Sequence, residues 1–126
     1  MSRIKESQIQ LAVMDGLRMH PRVAFVIRSN AGTISKTYKG KQHFIRLAPP
    51  GFPDISGMLD GGYAFYMEIK NPHTNKSLRL SRDQQIWRDR IEAANGKWAV
   101  VSDVQQAIDV VDKWTESPIR VVKMRV

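Results

Sequence analysis

Cysteine is absent from the 126 residues, which excludes a disulfide framework and any thiolate metal site, so a metal could be held only by oxygen or imidazole. Histidine is scarce. His20, His43 and His73 lie far apart, without the spacing of a metal site or a catalytic pair, and each reads as a surface or helix-end residue. No run of about 18 apolar residues occurs, so no membrane-spanning helix is expected. The opening Met1-Ser2-Arg3-Ile4-Lys5-Glu6 has no apolar signal core, and a soluble, cytoplasmic protein is the expectation. A glycine-rich phosphate loop is also missing, which argues against a nucleotide cofactor. Internal repeats and low-complexity segments are absent too.

Acidic residues are few: 12 against 20 basic ones, for a net charge of +8. The imbalance is local. Between Gly16 and Pro53 stand Arg18, Arg22, Arg28, Lys36, Lys39, Lys41 and Arg46 with no carboxylate among them. Such a stretch fits either a polyanionic partner or a solvated basic surface. Because it leads straight into Asp54, the polyanion is favoured. The length suits one domain with a real core, and residues 1–126 are read as a single unit.

Ser2 to about Met19 carries Ile9, Ala12, Val13 and Leu17 on one stripe and predicts a helix ended by Pro21. Glu6 returns to the Val13 side of that helix, at the rim of the buried stripe. Val23 to Ile27 is a short strand, followed by a loop or loose hairpin over Thr33 to Gln42 and a further strand over His43 to Leu47. The breaker run Pro49-Pro50-Gly51-Phe52-Pro53 comes next. Asp54 to Leu59 and Tyr63 to Lys70 then form a hairpin around Asp60-Gly61-Gly62. Ser81 caps a helix to about Ala94 that is closed by Gly96. Lys97 to Val101 is a strand, Asp103 to Trp114 a helix, and Ile119 to Val126 a candidate last edge strand. Trp87, Trp98 and Trp114 sit in apolar patterns and read as core or partner-facing. The sum is an α/β fold.

The tail of the Tyr63 to Lys70 strand is unusual. Alternation places Tyr63, Phe65, Met67 and Ile69 on one face and Ala64, Tyr66, Glu68 and Lys70 on the other. Both faces begin apolar, as in a central strand. Glu and Lys there are costly unless something pairs or coordinates them. The hairpin sets the start of one strand against the end of the other, which brings Asp54 beside Glu68. Lys70 projects from the Glu68 face about 6.6 Å further along. Taken singly, Asp54 is a turn cap and Glu68 with Lys70 a surface ion pair. Jointly they offer what phosphodiester hydrolysis needs: carboxylates for Mg²⁺ and an ammonium for a water or the transition-state charge.

Gly51-Phe52-Pro53-Asp54, then Glu68-Ile69-Lys70, then Gln84 with Trp87 on a following helix, resembles the PD-(D/E)XK nucleases. More narrowly, the pattern is similar to the virus-type replication-repair nuclease domain, VRR-NUC, of the stand-alone phage or bacterial type. The resemblance runs from Glu6 to about Val111. It implies a restriction-endonuclease-like core: a mixed central sheet flanked by helices in the order αβββαβ, with a C-terminal helix and an edge strand. It also implies that Asp54, Glu68 and the Ile69 carbonyl hold Mg²⁺ or Mn²⁺, that Lys70 is catalytic, that Gln84 holds the lysine or a water, and that Glu6 fills an additional acidic position.

Arg28, Asn30 and Gly32 match the family's first strand and the loop after it. DNA contacts are expected from Arg28, Asn30, Lys36, Lys39, Lys41 and Arg46, and from Lys76, Arg79, Arg82 and Arg88. The sequence departs from the pattern in its basic insert Lys36 to Arg46 and in Ala48-Pro49-Pro50 before Gly51. The implied activity is metal-dependent cleavage of DNA, favouring branched DNA such as four-way junctions, by a homodimer in a bacterial or phage-infected cell. The alternatives are a DNA-binding module that does not cut, a nuclease with little structure preference, and a restriction-like enzyme. The last lacks room for a separate recognition domain.

Overall fold

The structure is a computed structural model that describes residues 4–29, 33–46, 48–73 and 79–116, with the backbone alone for 33–36 and 44–46. Its elements are α1 (Glu6–Arg18), β1 (Val23–Arg28), β2 (Thr33–Tyr38), β3 (Lys41–Arg46), β4 (Ile55–Leu59), β5 (Ala64–Ile69), α2 (Arg82–Ala93), β6 (Lys97–Val101) and α3 (Val104–Thr115). Four strands form a mixed sheet in the order β1-β4-β5-β6. The first two pairings are antiparallel, and β5 runs parallel to β6 across the α2 crossover. The candidate strand over Ile119 to Val126 lies outside the described residues.

Local chemistry accounts for most boundaries. Ser81 Oγ accepts the Gln84 backbone N–H while the Gln84 side chain accepts that of Ser81, a reciprocal capping box that starts α2. Asp103 caps α3 through the Gln106 backbone N–H. Gly61 and Gly62 take φ of +89° and +86° between β4 and β5, backbone that L side chains rarely adopt.

The alternation read from the sequence sorts the sheet into two faces. Val26, Ile55, Leu59, Phe65, Met67, Ile69 and Val101 meet Val13, Met14 and Leu17 of α1 and Ala107 and Val111 of α3 in one buried cluster. The second face carries Tyr66, and there Phe52 makes edge-on contacts with Tyr66 and with Trp87 of α2 at centroid distances of 5.9 and 5.0 Å. Trp114 packs on Phe65 from α3. His20 is more than a surface residue: its side chain is 8% exposed and lies 2.7 Å from Asp112, tying the end of α1 to α3.

One element differs from expectation. Thr33 to Arg46 is a regular two-stranded hairpin with its own pairing, Thr33 with Arg46 through Tyr38 with Lys41, and it forms a sheet of its own. The strand expected over His43 to Leu47 therefore does not join the central sheet. Its partner is Thr33–Tyr38, reached by a two-residue turn in which Lys39 and Gly40 have φ of 52° and 76°.

Candidate functional site

The site forms where β4 begins and β5 ends. Pairing Ile55 with Met67 sets Asp54, one residue earlier, against Glu68, one residue later. The Asp54 backbone is held by the Ser29 N–H, which donates to its carbonyl at 2.8 Å. Its side chain accepts the Ile69 N–H at 2.7 Å. This bond would also fit a turn cap, yet it fixes the carboxylate against the neighbouring strand rather than against its own turn.

Glu68 is 3% exposed. Burial, the charge of Asp54 and hydrogen bonding to Asp54 push its carboxyl up to about 9, with Glu6 adding to the rise and Lys70 opposing it. Glu68 Oε2 is buried with no hydrogen-bond partner. Two carboxyl groups, the buried Glu68 and the half-buried Asp54, thus share a strand end with the half-buried Lys70. Glu6, half-buried in the first turn of α1, is close enough for its charge to be felt at Glu68.

Lys70 is anchored by its backbone N–H to the Val101 carbonyl at 3.1 Å. Its Nζ donates to Gln84 Oε1 at 3.2 Å. The glutamine that caps α2 is therefore also the lysine's partner, so one oxygen starts the helix and orients the ammonium. Gly51 makes this possible. At φ +80°, a Cβ there would lie 2.5 Å from the Asp83 carbonyl carbon and 2.7 Å from the Gln84 backbone nitrogen, so only glycine lets the Pro49 to Pro53 loop seat against the first turn of α2. Gly51→Ala is expected to destabilise the fold by about 1–3 kcal/mol, which a thermal melt checks.

The structure brings Glu6, Asp54, Glu68, Lys70 and Gln84 to one place. The expected DNA contacts are more scattered. Arg79 lies with Lys70, Leu80, Ser81 and Gln84 along an open cleft. Arg28 is an exposed strand-end residue whose Nε donates to the buried Gln10 at 3.0 Å. Arg82 is exposed, as are Lys39 and Lys41 at the hairpin turn. Arg88 is engaged within the fold, 3.0 Å from Asp89 and stacked over Trp98 at 5.9 Å. Asn30 and Lys76 lie outside the described residues, as do the side chains of Lys36 and Arg46.

Gln10 and Asn71 escape the sequence reading. Asn71 is fully buried, donates to the Ile4 carbonyl at 2.6 Å and accepts the His73 N–H. It ties the chain after Lys70 to the segment before α1. The one available signal is a polar residue at a position the helix or strand pattern assigns to the interior.

Among the described residues, no group of three or more His, Asp or Glu side chains is arranged to hold a metal ion. The donor set is the Asp54–Glu68 pair, and that suits an ion which keeps several waters and needs one or two carboxylates. The partnerless Glu68 Oε2 is the atom a divalent cation would satisfy. No helix among the described residues is long and apolar enough to cross a membrane. No protein-family model matches the chain, and no curated protein matches it either.

Proposed function

We propose that this protein is a Mg²⁺- or Mn²⁺-dependent DNA endonuclease of the PD-(D/E)XK type, similar to VRR-NUC domains, which cuts branched DNA as a homodimer. The observation that carries this reading is the meeting of Asp54, Glu68 and Lys70 at one strand end, with a buried carboxylate oxygen left without a partner. With the β2–β3 hairpin set aside as an insert, the element order is αβββαβ followed by a helix, which is the order the resemblance implies.

Asp54 and Glu68 would hold the cation, with the Ile69 carbonyl as a further oxygen. When bound, the cation supplies Lewis acidity toward a phosphodiester oxygen and toward water. The chain's own groups do the rest. Asp54, fixed by the Ile69 N–H, keeps its carboxylate in place without reorganisation. Lys70, oriented by Gln84, places a positive charge where negative charge develops on the phosphate. The cleft beside Lys70 and Arg79 admits the strand, and Arg28 contacts a neighbouring phosphate. The net charge of +8 favours the approach of a polyanion such as DNA.

Labelled linear, flapped and four-way DNA, incubated with Mg²⁺, Mn²⁺ or a chelator, tests the reading. Cleavage is expected with either metal and not with chelator, fastest on the four-way substrate. No cleavage of any substrate with either metal sinks it. Equal rates on all three would leave a nuclease without structure preference. Mg²⁺ should also raise the melting temperature of the native protein, because it binds the folded carboxylate pair and not the unfolded chain. Since Glu68 holds its proton to about 9, that rise should grow from about pH 6 to about pH 8 as metal competes with fewer protons.

A further inference from the structure

The basic insert is a built element with a tip of particular composition. Tyr38 pairs with Lys41 across the two-residue turn Lys39-Gly40. Residues opposite one another on an antiparallel pair share a face, so Tyr38 and Lys41 point the same way. His43 joins them, its ring 6.4 Å from that of Tyr38. Lys39 Nζ lies 5.4 Å from the centre of the Tyr38 ring. All four residues are exposed, and Tyr38 is 63% exposed.

A large exposed aromatic at a hairpin tip requires a reason. Burial in the core does not supply one, because the ring is 63% exposed and, among the described residues, β2 and β3 pair with each other in a sheet of their own. An aromatic ring among cations is the combination that stacks on an unpaired base while ammonium groups take the flanking phosphates. Lys39 and Lys41 stand on either side of Gly40, which has φ +76° and open space around it. Apart from its two neighbours, nothing lies within 4 Å of where a Cβ at Gly40 would sit, so the turn between the two lysines is open to a partner.

We infer that the β2–β3 hairpin is an arm that recognises branched DNA, with Tyr38 stacking on a base left unpaired at the branch and Lys39 and Lys41 contacting phosphates beside it. This rests on the reading of the protein as a DNA enzyme and adds where its preference for structure resides. The arm is separate from Asp54, Glu68 and Lys70, which carry the chemistry.

The test measures binding and cleavage separately. Binding of forked and linear duplex DNA is followed by fluorescence anisotropy with chelator present, so that nothing is cut. Tyr38→Ala is expected to lower the ratio of forked to linear affinity about tenfold, the loss of one base stack. Lys39→Ser with Lys41→Ser should lessen the slope of log affinity against log salt by about 1.8 on duplex DNA, from two phosphate contacts. Tyr38, Lys39 and Lys41 are exposed, so these variants should keep the native melting temperature. An unchanged ratio for Tyr38→Ala, or a salt slope equal to the native one for the lysine pair, overturns the arm. Native protein that cuts DNA while the arm variants bind like native removes the arm and keeps the nuclease. Native protein that never cuts, but binds forked DNA through Tyr38, keeps the arm and removes the nuclease.

Discussion

Glu68→Gln is expected to raise the melting temperature by several degrees at about pH 8 while reducing DNA cleavage on the order of 10³-fold, a loss and a gain from one atom. The gain follows from linkage. An unfolded glutamate ionises near 4.5, whereas the folded environment pushes Glu68 up to about 9. Between those values the folded protein holds a proton that the unfolded chain has released. Stability therefore falls as pH rises through that window, by up to about 1.4 kcal/mol per pH unit, and levels off above it. Glutamine carries no charge and can donate an N–H to Asp54, so this part of the pH dependence disappears.

The loss follows from the same substitution, because a neutral amide is a poor ligand for a divalent cation. Melting the native and variant proteins from about pH 5 to about pH 9, with chelator and with Mg²⁺, separates the two effects. A variant that melts lower than native at about pH 8 without metal would show that the buried carboxyl is already satisfied in the folded state. A variant that gains as much stability as native from Mg²⁺ would remove Glu68 from the metal site.

Lys70→Ala is expected to slow cleavage by on the order of 10²- to 10⁴-fold and to leave DNA affinity nearly unchanged. The backbone at Lys70 is fixed by the bond to the Val101 carbonyl, so the strand survives loss of the side chain. What disappears is the ammonium that Gln84 orients. Single-turnover rates on saturating DNA, beside anisotropy titrations, tell a catalytic lysine from a gripping one. A parallel fall in affinity and rate would mean that Lys70 only binds phosphate. Gln84 offers a contrast, since its side chain also accepts the Ser81 N–H and its removal touches both helix start and lysine.

Much of this molecule is legible along the chain because the forces involved act over a few residues. Ser81 and Asp103 start helices, Gly61 and Gly62 turn a hairpin, and alternation from Phe65 to Ile69 separates core from site. The meeting of Asp54 with Glu68 is equally local in cause, since a tight hairpin leaves one register to its strands. The hairpin Thr33 to Arg46 was only half legible. Its turn chemistry, Lys39-Gly40, is clear in the structure, but three lysines and a histidine lack the apolar alternation that marks a strand.

The sequence by itself determined the three helices, the strands of the central sheet, the Asp60-Gly61-Gly62 turn and the placing of Asp54 beside Glu68 and Lys70. Only the tertiary structure decided how strongly Glu68 is desolvated, that Gln84 reaches Lys70 because Gly51 lets a loop seat against α2, that Arg28 leans on Gln10, and that the basic hairpin stands outside the central sheet. The physical reason is range. Capping, turns and alternation are fixed by neighbours in the chain, whereas burial and side-chain partnership depend on which distant segments pack together, and no local pattern encodes that.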